Sequence, residues 1–251
     1  MSQRLQVIIA KAGITSRRKA GLMIQEGRVT VNNRVVREPG MLVDLARDKI
    51  RVDRKLIQNL EPKLTIILNK PKGVITTLKD PLDRITVKDI LPPFKQRLFP
   101  IGRLDYHSEG IILLTNDGEL CHMLQHPRYG IKKVYLVKVK GKPSESALDR
   151  LRRGIFIDGR KTAPAKVKRL ERKGIHTWLE ISIHEGRNRQ IRRMCQAIGH
   201  PVLKLKRIRF GPLDLGGLKA GEFRVLKAYE IEKLRSEAQN GRSPKKVSKK
   251  Y

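Results

Sequence analysis

A short apolar run, I-I-L-L at residues 111–114, is the clearest hydrophobic feature of the chain, and turn-forming residues flank it on both sides. Such a run is typical of a strand that is buried on both faces. The polar residues before the run place Asp105 on a loop that leads directly into this strand. Loops that a rigid strand holds often carry reactive groups, but a single Asp in a glycine-flanked turn more often only accepts backbone N–H bonds.

The first sixty residues predict a small unit of helices followed by hairpins. Periodic apolar positions predict helices over 3–11 and 16–26. Alternating apolar residues on either side of Asn32 and Asn33 predict a hairpin, and Asp53 begins a second turn. Two helices followed by short strands suggest a compact module that is separate from the rest of the chain.

Three cations, Arg17, Arg18 and Lys19, open the second predicted helix. Positive charge at a helix N-terminus opposes the helix dipole. A cluster placed there against the dipole suggests a phosphate ligand nearby. A solvated basic turn explains the same residues equally well.

Strands outnumber helices in the remainder of the chain. Strands are expected over 64–68, 132–140, 163–170, 176–184 and 218–226, and helices over 117–125, 144–153, 185–199 and 230–238. Residues 79–98 are expected to be irregular, with a short helix near 87–91. Hairpin-like spacing favours an α+β fold with a mixed, mostly antiparallel central sheet and helices packed on it.

The charge of the chain indicates a polyanionic partner. Lys and Arg total 56 against 24 acidic residues, which gives a formal charge of +32. Nucleic acid is the first expectation and an anionic membrane surface the second. Because there is no apolar run of spanning length and no signal-peptide pattern, the sequence favours a cytoplasmic protein that does not enter a membrane.

Neither cysteine nor histidine predicts a metal site. Cys121 and Cys195 are too few for a disulfide framework or a zinc cluster, and both are expected in the core. His122 and His126 have the i, i+4 spacing of zinc ligands, but no acidic residue follows His122, as a zinc protease would require. They are expected on a helix surface.

The segment G-R-L-D-Y-H-S-E-G-I-I-L-L-T-N-D-G at 102–118 closely resembles the signature of the RsuA/RluB-type pseudouridine synthase family. Ser108 stands where that signature often has Thr, and it keeps the hydroxyl. Further segments of the same resemblance are N-K-P-K-G at 69–73, K-x-Y-x-V-x-V at 133–139, E-G-R-N-R-Q-I-R-R-M at 185–194 and L-x-R-I-x-x-G-P-L at 205–213. The resemblance therefore extends over nearly the whole chain.

The resemblance implies a division of the chain into three parts. Residues 1–60 are similar to an S4-type RNA-binding domain through A-G-I-T-S-R-R-K-A and E-G-R-V-T-V-N. Residues 61–236 would form the pseudouridine synthase catalytic domain. Residues 237–251 carry lysines without an acidic residue after 237 and are expected to be a disordered basic tail.

The resemblance also assigns roles to individual residues. Asp105 would be the essential carboxylate, Arg192 would pair with it and keep it ionised, and Tyr135 and Ile191 would hold the flipped base. Arg103 would fill the space of the uridine or contact its phosphate. The residues expected to bind RNA are Arg17, Arg18, Lys19, Arg28, Asn32, Lys70, Lys72, Arg187 and Arg189.

The implied activity is isomerisation of uridine to pseudouridine in ribosomal RNA, without a cofactor or a metal. The opening segment and the basic tail look closer to the large-subunit branch of the family than to the small-subunit branch. A pseudouridine synthase of small-subunit ribosomal RNA is the alternative. The expected partner is a ribosomal RNA stem-loop in an assembling large subunit, with the protein acting as a monomer and without a membrane.

A binding function without catalysis fits part of the sequence, whereas an RNA-cleaving activity does not. A non-catalytic ribosomal-RNA-binding or ribosome-assembly protein would have the same charge, N-terminal module and tail, but binding alone does not require Arg103, Asp105, Tyr135 and Arg192 together. An RNA-cleaving enzyme would need paired histidines or a carboxylate metal site, and neither is evident.

Overall fold

A computed structural model of the protein describes residues 2–170 and 174–241. The chain folds as two compact units. The first comprises Met1–Leu64 with Phe94–Leu98 and Asn116–Gly118, and the second comprises the rest of the described chain.

The first unit consists of two helices and two small sheets. Its elements are β1 Gln3–Arg4, α1 Leu5–Lys11, α2 Arg17–Gln25, β2 Val29–Val31, β3 Arg34–Val36, β4 Leu42–Val43, β5 Ile50–Val52 and β6 Lys55–Leu56. The strands pair in the order β3-β2-β5-β6, with β1 and β4 forming a separate pair. Apolar side chains of both helices and of β2 and β5 form one buried core.

The local predictions for this unit are largely confirmed. Ser16 caps α2 by accepting the Lys19 N–H at 3.3 Å. Asn32 and Asn33 form the hairpin turn in the left-handed region, at φ 50° and 67°, as asparagine permits. The first helix is shorter than predicted, because residues 3–4 pair with β4 instead.

The second unit carries the large sheet. Its elements are β7 Thr65–Lys70, β8 Phe99–Ile101, β9 Glu109–Thr115, α3 Gly118–Gln125, β10 Lys133–Val139, α4 Glu145–Arg153, β11 Phe156–Ile157, β12 Arg160–Lys161, β13 Lys166–Leu170, β14 Thr177–Ile183, α5 Gln190–Ala197, β15 Val202–Phe210, β16 Leu213–Asp214, β17 Phe223–Val225 and α6 Ala228–Asn240. A single turn of 3₁₀ helix lies at Pro127–Tyr129.

The nine-stranded sheet runs β13-β14-β10-β15-β9-β7-β17, with β16 paired to β15 and β8 paired to β9. Among the strands described, β15 and β9 form the parallel pair and the other pairs of this sheet are antiparallel. The predicted α+β class with a mixed, mostly antiparallel sheet is confirmed.

Strand β9 is the central buried strand that the apolar run predicted. Its residues from Gly110 to Thr115 are all buried. Gly110, at φ +103°, lies so close to β15 that a Cβ atom would stand 2.1 Å from the Arg207 carbonyl oxygen. Glycine is therefore required where the two strands run in parallel.

Several predicted boundaries were wrong for identifiable reasons. No helix forms near 87–91, where single turns end before Pro92 and Pro93; a helix cannot continue into such a pair. Helix α5 begins at Gln190 rather than at 185, because the preceding residues form a hydrogen-bonded loop. The closing strand shortens to β17, since turns at 216–217 and 220–221 occupy the beginning of the predicted segment and the residues before it.

Helix α6 continues to Asn240, so the boundary expected at residue 237 lies inside it. Leu234 and Ala238 are fully buried and extend the packed face of the helix beyond that point. The expected basic tail at 242–251 lies outside the described residues. No helix in 2–170 or 174–241 has the length and apolar character that a membrane crossing needs.

The cysteines and the paired histidines take ordinary structural positions. Cys195 is fully buried in α5, and burial raises the pKa of its thiol to about 12. Cys121 is half-buried and packs against the core of the second unit. His122 and His126 are exposed, as predicted for a helix surface.

Candidate active site

Asp105 lies on the loop before β9 and lines a cavity of about 170 Å³. The side chain of Asp105 is 31% exposed. Other predicted site residues line the same cavity, namely Arg103, Tyr135, Arg187, Arg189 and Ile191. Segments far apart in the sequence therefore meet around one carboxylate.

The backbone around Asp105 is fixed by hydrogen bonds from the turn that follows β7. The Thr76 hydroxyl donates to the Leu104 carbonyl oxygen at 2.8 Å and accepts the Leu104 N–H at 3.2 Å. The Gly73 N–H donates to the Tyr106 carbonyl oxygen at 2.9 Å. The residues on both sides of the carboxylate are thus tied to residues 73–76, at the end of the N-K-P-K-G segment and just after it.

Two arginines from the start of α5 approach the Asp105 carboxylate. Arg189 Nη1 and Arg192 Nε each lie 3.7 Å from Asp105 Oδ2. Arg192 also donates through Nη2 to the His107 carbonyl oxygen at 3.2 Å and to the Ser108 hydroxyl at 3.5 Å. Arg192 therefore orients both the carboxylate and its loop.

Arg192 keeps unused hydrogen-bonding capacity at the carboxylate. Its Nε is buried and has no hydrogen-bond partner among the described residues. Burial lowers the pKa of Arg192, while the charge of Asp105 acts in the opposite direction. A short movement of the carboxylate would turn this 3.7 Å contact into a charge-assisted hydrogen bond.

The loop before α5 is organised by Gln190, which is 4% exposed. Its Oε1 accepts the Arg187 N–H at 3.0 Å, and its amide donates to the Glu185 carboxylate. Arg189, at the N-cap, adopts φ +49°, a left-handed conformation that is uncommon for a non-glycine residue. This turn directs Arg189 to Asp105.

Tyr135 and Ile191 form walls of the cavity. Tyr135 on β10 is 8% exposed, and Ile191 on α5 is 4% exposed. A flat ring and a branched apolar side chain suit the face of a planar base.

Arg103 lies at the mouth of the cavity. It is exposed and makes no hydrogen bond or ion pair within the part of the chain that the structure describes. Its charge is therefore available to a ligand.

The structure corrects the prediction for Lys70. Lys70 is fully buried, and its Nζ donates to the carbonyl oxygens of Pro71 and Val74 at 2.8 and 2.7 Å. Burial lowers its pKa to about 8. Lys70 therefore fixes its own turn and cannot contact RNA at a surface, whereas Lys72 is exposed.

Arg187 is also largely occupied by the protein. Its guanidinium donates to the carbonyl oxygens of Arg160 and Lys161 at 3.0 and 2.6 Å and lies 3.4 Å from Glu185. These contacts fasten the β11–β12 hairpin to the loop before α5. Its role as an RNA ligand remains a prediction.

The predicted RNA-binding residues of the first unit fall into two groups. Arg17, Arg18 and Lys19 are exposed on α2. Arg28 makes a two-pronged ion pair with Asp53, and the Asn32 side chain bonds Asp48 and the Lys49 N–H. The side chains of Arg28 and Asn32 therefore spend hydrogen-bonding groups on the protein itself. The exposed cations of α2 are more available to bind RNA.

Three further residues near Asp105 were not predicted to belong to the site. They are Thr76, Lys133 and Arg207, which are all buried. Lys133 and Arg207 line the cavity, and Thr76 holds the loop. Lys133 carried a detectable signal, because it occupies an inward-facing position of an alternating strand where an apolar residue is expected.

The described residues contain no cluster of three or more His, Cys, Asp or Glu side chains that could hold a metal ion. The chemically distinctive arrangement is instead one carboxylate with two arginines at a cavity walled by a tyrosine and an isoleucine.

Comparisons with known proteins identify the family. Residues 64–197 match the model of the RNA pseudouridylate synthases, and residues 3–58 match that of the S4 domain. The ribosomal large subunit pseudouridine synthase B of Bacillus subtilis is 46% identical over 96% of this chain and 99% of its own length. The protein of the same description from Pseudomonas aeruginosa is 37% identical over 94% of this chain and 63% of its own.

A solved structure agrees with these matches. The crystal structure of a pseudouridylate synthase superposes with a TM-score of 0.67 at 30% identity and covers 92% of this chain and 99% of that one. The fold, the site and the sequence relatives therefore agree. The chain belongs to the RNA pseudouridylate synthase family, whose members are isomerases that act on RNA.

Proposed function

We propose that this protein converts a uridine of large-subunit ribosomal RNA into pseudouridine, with Asp105 as the catalytic carboxylate. The position of Asp105 carries the proposal, since its carboxylate lines the cavity 3.7 Å from both Arg189 and Arg192. The two relatives described as large subunit enzymes support the choice of RNA.

The reaction breaks the N1–C1′ bond of uridine, turns the base and joins it again through C5. Asp105 acts on the sugar or the base in the cleavage step. The uridine must leave its stack to reach the carboxylate, at a cost of a few kcal/mol. Contact of the base with Tyr135 and Ile191 offsets this cost, and Arg103 occupies the vacated space or binds the adjacent phosphate.

The RNA is held by shape and by phosphate contacts. Arg17, Arg18, Lys19 and Lys72 are exposed cations of a chain with a formal charge of +32. Such cations suit a folded stem-loop, in which the protein contacts backbone and loop rather than paired bases. The protein acts as a monomer in the cytoplasm, on an assembling large subunit.

The test is to incubate the protein separately with unmodified large-subunit and small-subunit ribosomal RNA and to map carbodiimide-dependent reverse-transcription stops. A new stop in the large-subunit RNA is expected. A stop in the small-subunit RNA would keep the activity but contradict the substrate. If stops are absent from both RNAs and from assembly intermediates, the protein is a binding or assembly factor, and the catalytic proposal fails.

A further inference from the structure

Two buried cations line the cavity of Asp105, and the described part of the chain places no acidic partner beside either of them. Lys133 is 9% exposed and Arg207 is 2% exposed. Within residues 2–170 and 174–241, no carboxylate lies within ion-pair distance of either group. Buried charges are normally paired, because an unpaired one is costly to remove from water.

The sheet brings the two cations together beside Tyr135. Lys133 and Tyr135 are two residues apart on β10 and share its buried face. Tyr135 stands opposite Arg207 on β15. Both charges lie near the ring of Phe210, with Lys133 Nζ and Arg207 Cζ at 5.8 and 5.2 Å from its centroid. Both charges therefore belong to the wall that faces the base.

The hydrogen bonds of these cations to the protein are incomplete. Within the described ranges, the Lys133 ammonium makes one hydrogen bond, to the His184 carbonyl oxygen at 3.4 Å, although an ammonium has three donors. Arg207 donates from Nε to the Ile111 carbonyl oxygen at 2.6 Å, while its buried Nη2 finds no hydrogen-bond partner among the described residues. The protein has thus placed positive charge at the cavity that it does not itself neutralise.

The protonation of Lys133 agrees with this arrangement. Burial first, and then the nearby charge of Arg207, lower the pKa of Lys133 to about 8. At neutral pH the group is therefore still mainly protonated. An anion entering the cavity would restore the missing partner.

The proposed reaction creates such an anion only while the base is detached. When the N1–C1′ bond breaks, its electron pair stays with the uracil, whose negative charge spreads over N1, O2 and O4. The new C5–C1′ bond then takes an electron pair from the base, the C5 proton is lost, and N1 gains a proton. Atoms and charge balance over the whole isomerisation.

We propose that Lys133 and Arg207 form a positive pole in the cavity wall that stabilises the detached uracil anion. This inference rests on the proposed function and adds the group that holds the leaving base. The pole acts on charge that develops during the reaction, as an oxyanion hole does. The positive pole also keeps the detached base in the cavity while the base turns, because the two cations attract the uracil anion.

The test compares Lys133→Met with Lys133→Arg in single-turnover reactions on the mapped RNA. Lys132→Met is the control, since Lys132 is the exposed neighbour in the sequence. For Lys133→Met, we expect the rate at saturating RNA to fall about 100-fold, as for loss of one oxyanion donor, with unchanged RNA affinity. Lys133→Arg should recover part of this loss, and Lys132→Met should react like the wild type.

A second substrate distinguishes charge stabilisation from a structural role. If the target uridine carries fluorine at C5, the base leaves as a more stable anion and depends less on the pole. The defect of Lys133→Met in consuming the target nucleoside should therefore be several-fold smaller on this RNA. A folding or packing defect would lower both rates equally.

The outcomes separate this inference from the proposed function. If wild-type protein forms pseudouridine and Lys133→Met matches its rate, the positive pole is wrong and the function stands. A loss confined to RNA affinity would assign the two cations to a phosphate and would also overturn the inference. Absence of pseudouridine with the wild type would overturn both.

Discussion

Thr76 and Leu104 are joined by two hydrogen bonds through a single hydroxyl, at 2.8 and 3.2 Å. Leu104 directly precedes Asp105, and Thr76 is not among the residues that line the cavity of Asp105. A buried side chain outside the cavity therefore sets the backbone position of the carboxylate.

Replacing Thr76 tests this relationship. Thr76→Val leaves the Leu104 N–H and carbonyl without their partner, so we expect the free energy of unfolding to fall by about 1–3 kcal/mol. We expect kcat to fall more than KM changes, because the carboxylate moves while the RNA-binding surface stays intact. Thr76→Ser keeps the hydroxyl and is the control. Wild-type kcat in Thr76→Val would contradict the relationship.

Arg192 is expected to matter more than its neighbour Arg193. Arg192→Met removes the contact with Asp105 and the bonds to the loop at His107 and Ser108. Misplacement of a reacting group by about 1 Å can cost about 100-fold in rate, and a loss of this order is expected in single-turnover assays. Arg193 pairs with Asp158 instead, so Arg193→Met should change the rate little. Equal losses in the two variants would refute the role of Arg192.

The parallel approach of β9 and β15 predicts a strict requirement for Gly110. A Cβ there would meet the Arg207 carbonyl oxygen at 2.1 Å and its nitrogen at 2.7 Å. Gly110→Ala should therefore destabilise the protein by more than about 4 kcal/mol. Gly159 also has a positive φ, but a Cβ added there would meet open space. Gly159→Ala should therefore cost only about 1–2 kcal/mol. Denaturant titrations of the two variants measure the difference, which should vanish if the strands can separate freely.

Lys133 predicts an unusual dependence of stability on pH. Its pKa in the folded protein is about 8, against 10.5 for a free lysine. The unfolded chain therefore binds more protons between these values, and stability rises with pH across that window. Below pH 8 the buried charge costs the fold roughly 3–4 kcal/mol, at about 1.4 kcal/mol per pKa unit.

Lys133→Met should remove this cost. It should be more stable than the wild type at pH 7, and its advantage should shrink as the pH rises toward 10. The difference in the free energy of unfolding between the two proteins reports on Lys133 alone, because the other lysines titrate in both. An advantage that is independent of pH would mean that Lys133 is not a charged buried group.

Much of the architecture followed from hydrophobic patterning. The I-I-L-L run became β9, the alternation around Tyr135 became β10, and Ser16 and Ser144 cap α2 and α4. Patterning succeeded there because one face or both faces of each element are buried. It failed before α5, since a helical composition does not reveal that Gln190 and Glu185 bond to each other and hold a loop.

The sequence predicted some features of the site and missed others. Motif resemblance identified Asp105, Arg192, Tyr135 and Ile191, which do meet at one cavity or pair across it. It did not reveal that Lys70 is fully buried, because a lysine in a Pro/Gly turn is ordinarily solvated. Burial of a charged side chain depends on long-range packing, which local sequence does not determine.

The proposed function requires Asp105 to perform the chemistry. The most direct measurement is pseudouridine formation by Asp105→Asn in the mapped ribosomal RNA, with RNA affinity and thermal unfolding measured on the same preparation. The variant keeps the size of the side chain but removes its charge, so it should bind RNA, remain folded and form no pseudouridine. Full turnover by Asp105→Asn would contradict the proposed role of its carboxylate.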